Sequence, residues 1–205
     1  MLKVGLTGGL ASGKSFVGRC LAELGAHVAQ ADRMGHEILE PGGEAFDEVV
    51  ATFGHEMLDE QGRIDRKRLA AVVFNASKKL EQLNALVHPH VFARQEVFFA
   101  EVAEKDPGGV AVIEAAIMIE TGSYKNYDRL VLAACSQEEQ IRRFIHRDGA
   151  DEIRARARLA RQMPIDKKRA YADYIVDTSG TKEETRVRTA ELWEKLRLEA
   201  ENRAE

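Results

Sequence analysis

Five short, largely apolar runs alternate with segments of helical spacing along the chain. They lie at residues 2–7, 27–31, 110–113, 130–133 and 174–176. Continuous apolar runs are typical of parallel strands that are buried on both faces of a sheet. Strands that alternate with helices indicate βαβ units with right-handed crossovers. The pattern therefore predicts an α/β protein whose core is a five-stranded parallel sheet.

Apolar residues at helical spacing predict the intervening helices. The first helix begins near Lys14, carries one apolar stripe and ends at Gly25, because glycine is a favoured C-terminal cap. A long helix with an apolar face spans about 80–102, and a closing helix spans about 182–200.

Two long stretches without a clear strand are predicted to be helical insertions on the sheet. The first insertion is 32–106, in which Pro41-Gly42-Gly43 breaks the chain, and the second is 138–165. The core domain is then assembled from residues 1–31, 107–137 and 166–205.

Composition and charge narrow the class of protein. The chain has 205 residues, 44% of them hydrophobic and 31% charged, which is ordinary for a globular protein with a substantial core. Its net charge of −4 lacks the basic excess of a general nucleic-acid binder, so we expect no nucleic-acid partner. Cys20 and Cys135 form no disulfide framework, and no apolar run approaches the roughly 18 residues of a membrane span. With no secretory signal, these features favour a cytoplasmic protein without a membrane partner, expected to be a monomer with a homo-oligomer as the alternative.

Residues 8–15 lie between the first predicted strand and the first predicted helix, where G-x-x-x-x-G-K-[ST] forms a phosphate-binding loop. Glycines let successive N–H groups converge on an anion, and the helix N-terminus adds its partial positive charge. Lys14 supplies a charge for the β- and γ-phosphates, and Ser15 offers a hydroxyl to Mg²⁺. The residues predicted to bind a nucleoside triphosphate are Gly8, Gly9, Leu10, Ala11, Ser12, Gly13, Lys14 and Ser15.

Asp32 comes directly after the second predicted strand. Ligands of open α/β sheets gather at the carboxyl ends of the strands, where the phosphate loop also lies. A carboxylate there could take the proton from an attacking hydroxyl group. Asp32 is equally suited to cap a helix that begins near Arg33, because aspartate is a favoured N-cap.

Arginines are concentrated in the second insertion. Arg143 and Arg147 are four residues apart and share a helix face, and arginine forks match the oxygens of a transferring phosphoryl group. We therefore predict both as catalytic, the alternative being a solvated face paired with nearby acidic residues. Glu114 and Glu120 are both candidates for the acid that supports Mg²⁺.

Short segments in addition to the complete phosphate loop are typical of one enzyme family. They are Val4–Gly9, Ala31-Asp32, Glu40–Gly43, Gly62–Arg66, Val73-Phe74, His88-Pro89, Gln140, Arg161-Gln162 and Ser179-Gly180. With them the chain resembles the dephospho-CoA kinase family nearly from end to end. The segments at 62–74 and 88–89 are more specific than the phosphate loop, which many unrelated enzymes share.

The resemblance implies a three-layer α/β/α P-loop core that binds ATP, a helical insertion that holds the acceptor, and an arginine-bearing lid at 138–165. The implied reaction transfers the γ-phosphoryl group of ATP to the ribose 3′-hydroxyl of dephospho-CoA. Asp32 would be the general base, and Lys14, Arg143 and Arg147 would stabilise the transferring charge. The loop containing Ser179 and Gly180 would flank the adenine.

Other readings of the same residues stay open. The alternative within this fold is another small-molecule or nucleoside monophosphate kinase, and a nucleotide-dependent binding protein without catalysis is a third reading. The chain also departs from the family at Ala116–Ile119, where Pro-Leu-Leu-Phe is usual, and at Thr178, where asparagine is usual.

Overall fold

The five predicted strands form one parallel sheet in the order β2-β3-β1-β4-β5. The strands are β1 (Leu2–Gly8), β2 (His27–Gln30), β3 (Val110–Glu114), β4 (Arg129–Ala134) and β5 (Tyr174–Asp177). Each differs from its predicted bounds by at most one residue at either end. The prediction of an α/β fold with a five-stranded parallel sheet is therefore confirmed.

The structure, a computed structural model, describes residues 1–74, 76–149 and 151–204. Residues 75, 150 and 205, which belong to the predicted insertion, lid and closing core segment, lie outside the described residues. The α-helices are α1 (Lys14–Glu23), α2 (Ala31–Glu37), α3 (Phe46–Phe53), α4 (Arg66–Phe74), α5 (Ser77–Lys105), α6 (Gln137–Asp148), α7 (Glu152–Leu159), α8 (Ile165–Lys168) and α9 (Lys182–Ala204). None of these helices combines the length and the apolar character needed to cross a bilayer.

The chain divides into two compact units. The first unit contains residues 1–30 and 99–205, and the second is Ala31–Phe98. The second unit begins one residue before the predicted insertion at 32–106 and ends before it, at Phe98, because the C-terminal part of α5 belongs to the first unit.

The first unit has its core on both faces of the sheet. On one face, residues of α1 and α9 such as Leu21 and Leu196 pack against Val4 and Val112. On the other face, Ile165 of α8 belongs to a smaller cluster with residues of β4. Burying one such side chain stabilises the fold by about 1.5–3 kcal/mol. The sheet is thus held between helical layers, which fixes the carboxyl ends of its strands.

The second unit is helical and has a core of its own. Ile38, Val49 and Leu69 are buried together with residues of α4 and α5. The described residues of this unit contain one isolated antiparallel β-bridge, between Leu58 and Ile64, and no strand. The sequence prediction of a stretch without strands therefore agrees with the described residues.

Candidate active site

The phosphate loop connects β1 to α1 through two backbone conformations with positive φ. Gly13 is the N-cap of α1 with a φ of 87°, and Ala11 has a φ of 52°. No side chain caps α1. The free N–H groups of the first helical turn are therefore available to an anion, and the helix dipole favours negative charge at the same place.

The two glycines at the start of the loop allow other side chains to pack closely against its backbone. A Cβ atom on Gly8 would lie 2.3 Å from Ser12 Oγ, and one on Gly9 would lie 2.2 Å from Gln140 Nε2. Both of these polar atoms are buried and have no hydrogen-bond partner among the described residues. Buried polar atoms in native proteins are almost always satisfied. Two unsatisfied buried polar atoms, one in the loop and one on α6, therefore lie against these glycines, which is typical of a site that binds a polar ligand.

A buried carboxylate joins the two chemically active side chains of the loop. Lys14 Nζ lies 2.5 Å from Glu114 Oε1, and Ser15 Oγ donates a hydrogen bond to the same oxygen. The second carboxylate oxygen accepts a hydrogen bond from Gln30 Nε2 at 3.2 Å. Glu114 is 4% exposed and stands at the end of β3, in register with Leu6 of β1. The sheet register therefore places an acid beside the lysine and the serine hydroxyl.

Glu120, the other candidate acid, lies in a different environment. Its Oε1 accepts the backbone N–H of Met163 at 2.9 Å and pairs with Lys168 Nζ at 2.9 Å. Glu120 therefore binds the end of the predicted lid, and Glu114 is the acid that contacts Lys14 and Ser15.

The loop after β5 is bonded to the phosphate loop. Thr178 Oγ1 lies 2.6 Å from the carbonyl oxygen of Ser12 and 3.1 Å from that of Ala134. Arg143 Nη2 donates to the Thr178 carbonyl oxygen at 2.6 Å, and Arg143 Nε donates to Glu139 at 2.6 Å. The contacts of Arg143 thus hold the loop that is predicted to flank the adenine.

Two local hydrogen-bond patterns fix the conformation of this loop. Asp177 Oδ1 accepts the N–H of Ser179 at 2.9 Å, which lowers the pKa of Asp177. Thr181 and Glu184 then form a reciprocal capping box at the start of α9. Gly180 lies between the two patterns, and a Cβ atom there would lie 2.1 Å from Glu184 Oε2.

A cavity of about 790 Å³ opens beside these loops within the first unit. This volume is in the range of small-molecule sites. The cavity is lined by residues from the phosphate loop, α6, α7, the segment leading to α8 and the loop after β5, among them Gly9, Cys135, Gln140, Gln162 and Ser179. Sequence reasoning placed Ser179 at a nucleotide site but gave no role to Gln140 or Gln162, although both belong to the quoted family segments.

Arg147 makes different contacts from those of Arg143. It lies in the last turn of α6, its side chain is 60% exposed, and its guanidinium group pairs with Asp148 at 2.7 Å. This hydrogen bond raises the pKa of Arg147. The guanidinium carbon also lies 5.8 Å from the centre of the Phe144 ring. The described contacts of Arg147 therefore do not include the phosphate loop.

Asp32 belongs to the second unit, two residues after the end of β2. Helix α2 begins at Ala31, so Asp32 is the second residue of the helix and lies in its first turn. The alternative that Asp32 is the N-cap of a helix beginning near Arg33 is therefore wrong. Its carboxylate is exposed, and a negative charge in this position is also favourable to the helix dipole.

Replacing Thr178 by valine is expected to weaken the binding of the predicted nucleoside triphosphate, with ATP as the probe, and to lower the free energy of unfolding by about 1–3 kcal/mol. Valine keeps the volume but removes the hydroxyl group that faces the Ser12 carbonyl oxygen. Urea unfolding with and without ATP measures both effects. The matched control is Thr189→Val, because the buried Thr189 hydroxyl bonds a carbonyl oxygen within α9. An unchanged ATP affinity in Thr178→Val would show that this bond does not shape the phosphate loop.

Comparisons with known proteins agree with the geometry of the site. The model of one family, described as dephospho-CoA kinase, matches residues 2–184. A dephospho-CoA kinase of Thermobifida fusca is 41% identical over 203 residues, which cover 99% of this chain and 100% of the relative. A dephospho-CoA kinase of Aquifex aeolicus is 39% identical over 196 residues, covering 96% of this chain and 98% of the relative.

Solved structures have the same fold. A crystal structure of a Thermus thermophilus protein is 28% identical with a TM-score of 0.77, covering 94% of this chain and 97% of that one. The dephospho-CoA kinase structure from Campylobacter jejuni is 22% identical with a TM-score of 0.62, covering 95% of this chain and 96% of that one.

Proposed function

Because the chain belongs to the dephospho-CoA kinase family, we propose that it transfers the γ-phosphoryl group of ATP to the ribose 3′-hydroxyl of dephospho-CoA. The products are CoA and ADP, which makes this the final step of coenzyme A biosynthesis. The family match over residues 2–184 carries the proposal. It disfavours the alternative of another small-molecule or nucleoside monophosphate kinase.

The phosphate loop supplies the binding groups for the donor. The N–H groups at the start of α1 and the lysine charge suit the β- and γ-phosphates of ATP. Lys14 lies against Glu114, so its ammonium group is held at the loop by a carboxylate. A lysine in this place binds the triphosphate and then stabilises the charge of the transferring phosphoryl group.

The donor set also fits Mg²⁺. A hydroxyl and a carboxylate, those of Ser15 and Glu114, are within hydrogen-bond reach of each other at the loop. Mg²⁺ in kinase sites is held by one or two protein oxygens together with phosphates and water. The described residues contain no group of three or more histidine, cysteine, aspartate or glutamate side chains placed to hold a metal by themselves. When bound with ATP, the ion would neutralise charge on the phosphate oxygens.

Asp32 is proposed as the general base, and the predicted insertion at 32–106 as the acceptor domain. The topology supports this role, since Asp32 follows the carboxyl end of β2, and β2 pairs with the strand that ends at Glu114. A carboxylate in this role takes the proton of the 3′-hydroxyl as the hydroxyl oxygen bonds to phosphorus and the bond to ADP breaks.

Residues 138–165 are proposed as the lid, with Arg143 and Arg147 as its charge-stabilising residues. The hydrogen bond from Arg143 to the carbonyl oxygen of Thr178, in the loop after β5, supports a place at the nucleotide. Arg147 lies one helical turn further on α6, beside Gly149, which has a φ of 61°. Closure of such a lid would exclude water from the γ-phosphate.

Replacing Arg147 by alanine is expected to lower kcat by about 10²-fold with a smaller change in ATP affinity. Its charge meets the phosphoryl group most strongly in the transition state. Steady-state kinetics and equilibrium ATP binding separate the two effects. Arg142→Ala is the matched control, since Arg142 lies on the same helix, is 76% exposed and pairs with Glu139. A change limited to ATP affinity would contradict the catalytic role.

We further propose a cytoplasmic monomer that acts without a nucleic-acid partner. Two free, buried cysteines and the net charge of −4 support this setting. Gel filtration with light scattering measures the oligomeric state.

A coupled assay of ADP release tests the proposed activity. Dephospho-CoA, AMP, dCMP and shikimate are offered as acceptors with ATP and Mg²⁺. Turnover with dephospho-CoA and not with the others is expected. Turnover with AMP alone, or with none of the four, would contradict the proposed function.

A further inference from the structure

Lys168 is a buried lysine to which the proposed phosphoryl transfer assigns no role. Its side chain is 0% exposed, its Nζ donates to the carbonyl oxygen of Ala116 at 2.8 Å, and it pairs with Glu120 at 2.9 Å. Lysine is rarely buried unless its charge is paired and hydrogen-bonded. Lys168 ends α8, so this pair ties α8 to the segment between β3 and β4.

Glu120 also holds the end of the predicted lid. Its Oε1 accepts the backbone N–H of Met163 at 2.9 Å. The preceding residue, Gln162, accepts the N–H of Leu10 through its side-chain oxygen at 2.8 Å. Because Leu10 belongs to the phosphate loop, a fixed Met163 also fixes a contact between the lid segment and that loop.

The Ala116 carbonyl oxygen connects the same ion pair to the residue that precedes the phosphate loop. It accepts a hydrogen bond from Thr7 Oγ1 at 3.2 Å in addition to the one from Lys168. Thr7 is fully buried and directly precedes Gly8. The ion pair is therefore linked to the phosphate loop by two sets of contacts, one through Ala116 and Thr7 and the other through Met163 and Gln162.

We propose that the Lys168–Glu120 pair positions Met163 so that Gln162 stays hydrogen-bonded to Leu10, and that this contact shapes the phosphate loop for ATP. Glu120 and Lys168 are positioning residues, and Gln162 is the side chain through which they act. Hydrogen bonds weaken steeply with distance and angle. A small displacement of Met163 also moves the neighbouring Gln162, and this movement breaks the hydrogen bond between Gln162 and Leu10. The inference rests on the proposed function only in taking ATP as the nucleotide.

A double-mutant cycle tests the path of this effect. Glu120→Ala, Gln162→Ala and the double variant are compared by calorimetric titration with a non-hydrolysable ATP analogue and by steady-state kinetics. Each single substitution is expected to lower kcat/KM for ATP about tenfold, the effect of one hydrogen bond, with KM for dephospho-CoA unchanged. The double variant is expected to be no worse than Glu120→Ala. Losses that add would overturn the proposal, because residues that act through one contact are not additive.

Two further variants separate positioning from stability, because Glu120→Ala leaves a buried ammonium group without its anion. Glu120→Gln keeps a side-chain oxygen for the Met163 N–H and for Lys168 Nζ but removes the negative charge beside the buried ammonium group. It is therefore expected to lower Tm and to leave ATP affinity close to the wild-type value. Leu196→Ala, in the core of α9, is expected to lower Tm without changing ATP affinity. Weakened ATP binding in either variant would overturn the proposal.

The calorimetric titration with the ATP analogue does not depend on whether dephospho-CoA is the acceptor. If wild-type protein binds the ATP analogue but does not phosphorylate dephospho-CoA, the proposed function fails. The cycle in ATP affinity then still decides whether Glu120 acts through Gln162.

Discussion

Replacing Asp32 by asparagine is expected to lower kcat by about 10²- to 10⁴-fold, the usual contribution of a general base. Asparagine keeps the shape of the side chain but has no basic oxygen to take the proton from the 3′-hydroxyl group. The affinities for ATP and for dephospho-CoA are expected to stay close to those of the wild-type protein. Single-turnover kinetics together with equilibrium binding of each substrate measures the effect.

Asp32→Asn removes both a general base and a negative charge that is favourable at the N-terminus of a helix. A control variant must separate these two effects. Asp47 is also exposed and also lies in the first turn of a helix, α3, in the same unit. Asp47→Asn removes the same charge from an equivalent helical position and is expected to leave kcat unchanged. An Asp32→Asn variant that binds both substrates and turns over at the wild-type rate would show that Asp32 is not the base.

Replacing Lys14 by methionine is expected to lower kcat/KM for ATP by about 10²- to 10³-fold. Methionine keeps the length of the side chain and removes the charge that meets the β- and γ-phosphates. The substitution also leaves Glu114, a 4% exposed carboxylate, without its ion-pair partner, and breaking such a pair costs about 3–5 kcal/mol of stability. Steady-state kinetics with varied ATP, together with urea unfolding, measures both losses.

A second substitution distinguishes these two losses. Adding Glu114→Gln to Lys14→Met removes the unpaired buried charge and is expected to restore most of the stability. It is not expected to restore catalysis, because no ammonium group returns to the phosphates and the Glu114 carboxylate of the proposed Mg²⁺ site is also lost. Recovery of wild-type turnover in the Lys14→Met/Glu114→Gln double variant would mean that Lys14 matters only for folding.

The parts of the fold that depend on local pattern could be predicted from the sequence. The strands appear as apolar runs. The phosphate loop is one continuous segment, and the positions of its glycines and its lysine predict its conformation. The start of α2 could not be predicted to the residue, because helix bounds taken from sequence are uncertain by one or two residues. That small uncertainty left Asp32 with two readings, and the observed start at Ala31 removed the capping alternative.

Other parts of the site depend on contacts between distant segments. The contact of Glu114, and not Glu120, with Lys14 and Ser15 follows from the register of β1 against β3, which pairs Glu114 with Leu6. No local pattern contains that register. The role of Thr178, where the family usually has asparagine, also could not be predicted from local sequence. Its hydroxyl group bonds the Ser12 carbonyl oxygen, which is 166 residues away in the sequence. Side chains that join distant segments become visible as functional only when the fold brings them together.

The position of the transferred phosphate tests the central claim most directly. The wild-type protein is incubated with ATP, Mg²⁺ and dephospho-CoA, and the product is examined by mass spectrometry and ³¹P NMR. The account predicts one new phosphomonoester on the ribose 3′-oxygen, with one ADP formed for each product molecule. A phosphate on any other oxygen of the acceptor, or ADP formed without a phosphorylated acceptor, would contradict it.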